Sequence, residues 1–257
     1  MNEYGLVRGC ARVFLGTEPR ESLSERLRGE IDWDVVVREA SAHAVTPMVY
    51  SVLSGHGGVP EDIRRRLHEE YRGIVVQNLS RAAELRRLLE IFQSRNIPVV
   101  PFKGPALAWL AYEDLGAREF CDLDLLVRPE DVEAAAALLA ENGYRTDLPR
   151  EPERRDAYLH TRHEIHFIHE GGGSLIELHQ SFLPRYACFE PDYGRLWRRL
   201  EPISLCGTDT LALRLEDLLP ALCAHGAKHC WARLGWICDI GALVSRHGER
   251  VNWAELE

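Results

Sequence analysis

The chain has 257 residues, of which 46% are hydrophobic and 28% charged, a composition typical of globular proteins that bury a substantial core. Its formal net charge of −9 disfavours general binding to nucleic-acid backbone, which favours basic proteins, but leaves room for a local basic patch. Seven scattered cysteines, an N-terminus without a signal-peptide pattern, and apolar runs far shorter than a membrane span predict a cytoplasmic protein with free thiols and no membrane segment.

The first part of the chain predicts helices. Ser22 or Ser24 is a candidate cap for the first of them, and the segment 32–52 carries apolar residues at helical spacing. A turn over 54–60 separates this segment from a long helix over Glu61–Ser94. We therefore predict a helical N-terminal region over residues 1–95.

The central part alternates between strand and helix patterns, which predicts a core region over 96–182. Its turn at Glu170-Gly171-Gly172-Gly173 lacks the Lys-Ser/Thr ending of a phosphate-binding loop and fits a hairpin. The predicted elements are a strand over 97–102, a helix over 105–113, a strand over 120–127, a helix over 130–142 and a hairpin over 164–179.

After residue 180 the pattern is helical again, most clearly over Leu215–Ala232 and Leu234–Ser245. This predicts a C-terminal helical region over 183–257. Because the last residues still resemble structured sequence, we expect this region to continue beyond residue 257. A small mixed sheet between two helical parts fits the α+β class better than a doubly wound sheet.

Asp122 and Asp124 are the most informative residues, because they lie one residue apart in an apolar run. In a strand both carboxylates point to one face, while Leu123 and Leu125 point to the other. Two adjacent carboxylates repel each other unless a cation neutralises them, so we expect Mg²⁺ or Mn²⁺ here. We also expect that replacing either aspartate by asparagine relieves the repulsion in the metal-free protein. The alternative is a strand edge whose carboxylates face water.

Two further segments carry residues that suit a metal–nucleoside triphosphate. Lys103 and Gly104 end an apolar strand, where glycine permits close backbone approach and lysine adds a positive charge near a helix start. Glu177 and His179 share one face of a later strand, where Glu177 would be a third metal ligand or a general base. Arg118 would reach a triphosphate with its planar donor fork or pair with Asp122, and the sequence leaves both open.

The sequence also contains histidines that could hold zinc. His225 and His229 are four residues apart and would share one face of a helix. However, no glutamate completes a His-Glu-x-x-His pattern and no Cys-x-x-Cys pair exists, so zinc is the lesser alternative. The run His163-Glu164-Ile165-His166 has the wrong spacing for such a zinc site and strand-like surroundings.

Taken in order, these residues resemble the uncharacterised nucleotidyltransferase family of the polymerase-beta-like superfamily. The resemblance covers most of the chain from about residue 30 onward. One departure is Pro105, which follows Gly104 where the superfamily usually has a second glycine or a serine; proline has no N–H for a phosphate. The residues that carry the resemblance are Ile31-Asp32-Trp33, His43, Lys103-Gly104, Arg118, Asp122, Asp124, Glu130-Asp131, Asn142-Gly143-Tyr144, Glu177, His179, His225, Lys228-His229, Trp231, Arg233-Leu234 and Asp239.

The resemblance implies an enzyme that moves a nucleoside monophosphate from ATP or another nucleoside triphosphate to a hydroxyl or phosphate of an acceptor, releasing pyrophosphate. It implies that the helix around Lys228 and His229 borders the cleft and contacts nucleotide or acceptor. The expected metal ligands are Asp122, Asp124 and Glu177; the expected nucleotide contacts are Lys103, Gly104, Arg118, His179, Lys228 and His229. The alternatives are a non-catalytic nucleotide-binding or protein-interaction module and a zinc hydrolase. The acceptor, the base preference and the oligomeric state stay open.

Overall fold

A computed structural model describes residues 3–184 and 191–256 of the chain. The chain divides into two compact units, each built from segments that are distant in sequence. Unit 1 comprises Met1–Leu79, Ala108–Phe120 and Lys228–Arg250, and unit 2 comprises Ser80–Leu107, Cys121–Ala227 and Val251–Glu257. The three consecutive regions predicted from the sequence stay a prediction, and residues 185–190 of the third lie outside the described part.

Within the described residues, eleven α-helices and seven strands follow one another. The helices are α1 (Glu3–Phe14), α2 (Leu23–Arg26), α3 (Trp33–Ala42), α4 (Thr46–Leu53), α5 (Glu61–Ser94), α6 (Gly104–Tyr112), α7 (Val132–Glu141), α8 (Pro152–Thr161), α9 (Tyr193–Arg198), α10 (Leu215–Lys228) and α11 (Leu234–His247). The strands are β1 (Val100–Pro101), β2 (Asp122–Leu126), β3 (Tyr144–Thr146), β4 (Glu164–His169), β5 (Leu175–His179), β6 (Glu201–Leu205) and β7 (Thr208–Ala212). No described helix is long and apolar enough to cross a membrane.

Unit 2 contains a five-stranded mixed sheet in the order β1-β2-β5-β4-β3. Strand β2 pairs with β5 in parallel, whereas its pairing with β1 is antiparallel. Strands β4 and β5 form the antiparallel hairpin predicted from the sequence, with the glycine-rich turn between them. The α+β class with a small mixed sheet is therefore confirmed.

One face of this sheet is apolar and lies in the core of unit 2. Every second residue of β2, β4 and β5 points to it, as strand geometry requires. Helices α5 and α7 cover this face with residues at helical spacing. The core includes Leu123 and Leu125 of β2, Ile165 and Phe167 of β4, Ile176 and Leu178 of β5, Leu85, Leu88, Leu89 and Phe92 of α5, and Val132, Ala135 and Leu139 of α7.

Unit 1 has a helical core built from α1, α3, α4 and the start of α5, with Cys238 of α11 among its buried residues. Two residues of the family resemblance have structural roles in this unit. Asp32 caps α3 by accepting a hydrogen bond from the Val35 backbone N–H at 3.1 Å. His43 accepts a hydrogen bond from the Leu234 N–H at 3.3 Å, at the start of α11.

Several sequence predictions differ from the structure. The hairpin β6–β7 lies where only helix was predicted; its two-residue turn uses Cys206 and Gly207 at φ 54° and 79°. Helix α10 ends at Lys228, four residues before the predicted end, and Cys230 and Trp231 that follow have left-handed φ values. The first helix is α1, which the sequence did not predict, and Ser22 precedes α2 without a side-chain cap.

Candidate active site

The second face of the unit 2 sheet is polar across three neighbouring strands. Strand register places Asp124 of β2 beside Glu177 of β5, and Glu177 opposite His166 of β4. Asp122, His179 and Glu164 lie two residues away on the same three strands, so their side chains point to the same face. The predicted pair of aspartates therefore belongs to a larger array of carboxylates and imidazoles.

Lys103 neutralises the most buried member of this array. Its Nζ donates a short hydrogen bond to Asp124 Oδ1, and the two side chains are 11% and 0% exposed. The lysine reaches this position because Gly104, at φ 53°, turns the chain sharply between β1 and α6. The Lys103 ammonium is thus a positive charge beside Asp124 that the protein itself supplies.

His179 joins Asp124 to Glu177. Its Nε2 lies 3.2 Å from Asp124 Oδ1 and 3.4 Å from Glu177 Oε2. The ring is 3% exposed and contacts the ring of Phe102 edge-on, at 5.1 Å between centroids. One atom from each of Asp124, Glu177 and His179 lies within 4.8 Å of the others, which is close enough for a shared cation.

The charged groups stabilise one another against the cost of burial. Burial alone would raise the pKa of the Asp124 carboxyl, but the Lys103 ammonium and the His179 imidazole hold it well below its usual range. Burial by itself would lower the pKa of Lys103. The negative charges of Asp124, Asp122 and Glu177 outweigh this effect and raise the pKa above its usual value. Burial also lowers the pKa of His179, and hydrogen bonds to Asp124 and Glu177 more than offset it.

The carboxylate donors fit a hard divalent cation. Asp124 Oδ2 is buried and has no hydrogen-bond partner within residues 3–184 and 191–256. A buried carboxylate oxygen without a partner carries a desolvation penalty that a bound cation would remove. Asp122, half-buried at the start of β2, supplies a second carboxylate on this face, and Glu177 supplies a third. Oxygen donors of this kind suit Mg²⁺ or Mn²⁺.

Three other predicted site residues, Arg118, Lys228 and His229, belong to unit 1. Arg118 Nε donates to Asp239 Oδ2 at 2.9 Å, and the Tyr112 hydroxyl donates to Asp239 Oδ1 at 2.9 Å. Burial raises the pKa of the Asp239 carboxyl, although the arginine opposes this. This buried network gives Arg118 a structural role, and its contact with a triphosphate stays a prediction.

Lys228 is the last residue of α10, and His229 lies just beyond it. Both side chains are exposed, and the ring of His229 lies 5.4 Å from the ring of Trp236. In the described part of the chain, the groups of three or more potential metal ligands are Asp124-Glu177-His179 and Glu164-His166-Glu177, neither of which contains His225 or His229. The nucleotide or acceptor contacts of Lys228 and His229 stay predictions.

Sequence reasoning missed Glu164 and His166. These residues lack the spacing of a helical zinc site, but they lie on a strand, where they share a face. The signal was available: the hairpin turn predicts that this strand pairs with the one carrying Glu177 and His179. Alternation on both strands of a hairpin then places all four side chains on one face.

The model of the uncharacterised nucleotidyltransferase family matches residues 29–257 of the chain. The chain belongs to this family. It is therefore a nucleotidyltransferase, as the resemblance implied, and the match includes residues of both units. No curated protein matches the sequence of this nucleotidyltransferase.

Among solved structures, this nucleotidyltransferase is similar to the lincosamide antibiotic adenylyltransferase LnuA in its lincomycin-bound form. The identity is 15% and the TM-score 0.41, over 63% of this chain and 94% of that one. The antibiotic-resistance factor ANT(2″)-Ia in solution gives 12% identity and a TM-score of 0.42, over 70% and 96%. ANT(2″)-Ia in complex with adenylyl-2″-tobramycin gives 12% and 0.40, over 66% and 98%.

Proposed function

We propose that this nucleotidyltransferase uses ATP, or another nucleoside triphosphate, together with Mg²⁺ or Mn²⁺. It transfers the nucleoside monophosphate to a hydroxyl or phosphate of an acceptor and releases pyrophosphate. The observation that supports this best is the polar face of β2 and β5. There Asp124 and Glu177 lie side by side in register, and one oxygen of the buried Asp124 has no hydrogen-bond partner among the described residues.

In the reaction, an acceptor oxygen attacks the α-phosphorus, and the bond from that phosphorus to the bridging oxygen of the pyrophosphate breaks. An acceptor hydroxyl also loses its proton, and we propose that Glu177 receives it. A bound divalent cation would neutralise the charge on the phosphates and lower the pKa of a nearby hydroxyl. Asp122, Asp124 and Glu177 are the residues that would hold it.

The remaining predicted contacts extend this proposal. Lys103 and the backbone at Gly104 lie at the start of α6, where a helix N-terminus favours phosphate oxygens. Lys228 and His229 would contact nucleotide or acceptor through exposed side chains. We expect Lys228→Ala to reduce turnover without lowering the melting temperature by more than a few degrees, as is usual for an exposed residue.

The acceptor is proposed only by its chemistry. A hydroxyl or phosphate group is present on antibiotic-like small molecules, on peptides and protein side chains, and on RNA ends. The net charge of −9 makes the RNA end the weakest of these, because phosphate backbones favour basic surfaces. The cytoplasmic location predicted from the sequence stays a prediction.

The proposal can be tested by binding of Mg²⁺–ATP to the Asp122→Asn variant. This side chain is half-buried at a strand end, so the substitution should preserve the fold. We expect metal-dependent ATP binding, measured by calorimetry with and without Mg²⁺, to be lost. Asp209→Asn is the matched control, because Asp209 is an exposed aspartate on β7 of the same unit.

Unchanged Mg²⁺-dependent affinity in Asp122→Asn would contradict the metal site. An acceptor screen then tests the chemistry: wild type with α-labelled ATP should transfer label to one acceptor class and release pyrophosphate in equal amount. Loss of the terminal phosphate alone would indicate hydrolysis and would contradict nucleotidyl transfer from ATP.

A further inference from the structure

Three side chains on the β4–β5 hairpin converge beside the proposed nucleotide site. His166 lies directly opposite Glu177, and Glu164 lies two residues before His166 on the same face of β4. Each offers one potential ligand atom, and the three atoms lie within 4.8 Å of one another. The group contains an imidazole, which distinguishes it from the carboxylates of β2.

The distances in this group fit a shared cation better than hydrogen bonds. His166 Nε2 lies 3.7 Å from Glu164 Oε1 and 3.8 Å from Glu177 Oε1. These separations exceed normal hydrogen bonds, and His166 Nε2 has no hydrogen-bond partner in the described part of the chain. Two ligand atoms that each bind a tetrahedral zinc ion at ~2.1 Å lie ~3.4 Å apart. A shift of a few tenths of an ångström would therefore bring His166 Nε2 to this separation from each of the two carboxylate oxygens.

The other oxygens of both carboxylates have partners that hold them in place. Glu164 Oε2 lies 2.9 Å from His163 Nε2, and Glu177 Oε2 lies 3.4 Å from His179 Nε2. The Oε1 atoms of the two glutamates lie on the side of His166. Carboxylates that bind metals are commonly oriented by such a second hydrogen bond.

A buried nitrogen gives an independent indication of a ligand. The side chain of His179 is 3% exposed, and its Nδ1 lies 3.7 Å from Glu164 Oε2. This Nδ1 has no hydrogen-bond partner among the residues that the structure describes. Buried polar atoms are usually satisfied by protein, water or a ligand, so this nitrogen is a second unsatisfied polar atom on the same face of the sheet, beside Glu164.

We propose that Glu164, His166 and Glu177 form a second cation site, which takes a divalent first-row transition metal ion, with Zn²⁺ as the representative. Imidazole with carboxylate favours such ions over Mg²⁺, which prefers oxygen donors. The His166 side chain is 45% exposed, although its Nε2 is buried. Glu177 would then bind the zinc ion through Oε1 and also belong to the Asp122–Asp124 site. Its role in both sites rests on the proposed function, whereas the zinc site itself does not.

The test is Zn²⁺ binding to the nucleotide-free protein by competition with a chromophoric chelator. We expect one site in wild type, with affinity about tenfold or more lower in His166→Ala, since a ligand is lost. His160→Ala is the matched control, because His160 on α8 is also an exposed histidine, with 63% of its side chain exposed. X-ray absorption of the wild-type zinc complex should show one imidazole and oxygen ligands without sulfur.

Equal zinc affinity in wild type and His166→Ala would overturn the proposal, as would sulfur ligands or loss of zinc in His225→Ala alone. Asp122→Asn separates this proposal from the function above. It should lose Mg²⁺–ATP binding and retain zinc. If it retains both while His166→Ala loses zinc, the proposed function fails and the zinc site stands. If it loses zinc as well, the ion belongs to the Asp122–Asp124 site and this inference fails.

Discussion

Replacing Lys103 by methionine should destabilise unit 2 strongly. Methionine keeps most of the side-chain length but removes the ammonium that neutralises Asp124. The Asp124 side chain is fully buried, and its remaining partner on Oδ1 is the His179 ring at 3.2 Å. A carboxylate in this position is left with too little positive charge around it.

The size of the effect follows from the burial of the pair. Removing one partner of a buried ion pair typically costs ~3–5 kcal/mol, because the other charge is left uncompensated. For a chain of this size, 1 kcal/mol corresponds to a shift in melting temperature of roughly 2–4 °C. We therefore expect Lys103→Met to melt about 6–20 °C below wild type in buffer that contains a chelator.

Urea denaturation monitored by circular dichroism measures the free energy of unfolding for wild type, Lys103→Met, Asp124→Asn and the double variant. The double variant should lose less than the sum of the two single losses, since it leaves no charge unpaired. Lys228→Met is the control, because Lys228 is the other lysine of the sequence and is exposed. It should change stability by no more than about 0.5 kcal/mol.

A Lys103→Met loss below about 1 kcal/mol would refute the reasoning, because surface ion pairs contribute no more than that. Strict additivity in the double variant would refute it as well. Added Mg²⁺ gives a further check on Lys103→Met. If the ion binds the folded site, Mg²⁺ at 100 times its Kd should raise the free energy of unfolding of this variant by about 2.7 kcal/mol.

Three other predictions concern His179, Glu177 and Arg118. The folded-state pKa of His179 is raised above the unfolded value of about 6.5. Its charge therefore stabilises the fold fully below that pH, and the contribution is lost as the pH rises through the folded pKa. The stability difference between wild type and His179→Gln, from urea denaturation with chelator, should be largest below about pH 6.5 and should shrink as the pH rises above it. Glu177→Gln should slow turnover more than it weakens ATP binding; equal losses would indicate ground-state binding alone. Arg118→Ala should lower the melting temperature by roughly 6–20 °C, since it leaves the buried Asp239 without its cation, and Asp239→Asn in that background should restore part of it.

Local periodicity predicted the elements that carry the site. The long helix α5 has the predicted bounds Glu61–Ser94, because its apolar residues repeat at helical spacing and it contains no proline. Strand β2 lies within the predicted 120–127, and the hairpin β4–β5 lies within 164–179. Period-two alternation also predicted that Asp122 and Asp124 share a face, because that relation depends only on backbone geometry.

Contacts between distant segments were beyond the sequence pattern. Arg118 pairs with Asp239, 121 residues away, so nothing in its neighbourhood indicated a buried structural role. The β6–β7 hairpin turns at Cys206-Gly207, with a cysteine where such turns favour asparagine or aspartate. The available signal was the alternation of Ile203 and Leu205 with polar residues just before Gly207. Helix α10 ends at Lys228, and the residues that follow it, His229-Cys230-Trp231, include no glycine of the kind that usually marks a helix end.

The effect of the two aspartates on stability depends on contacts that only the structure shows. From the sequence, two adjacent carboxylates imply repulsion, so that removing either charge relieves it. The structure reverses this sign for Asp124, because Lys103 and His179 hold its pKa well below the usual range. A lowered pKa means that the fold favours the charged form, and its stabilisation is lost as the pH falls below the unfolded value of about 3.9. The expected repulsion considers these two residues alone. The sign of the stability change at Asp124 depends on a lysine from β1–α6 and a histidine from β5, and strand pairing brings both to it.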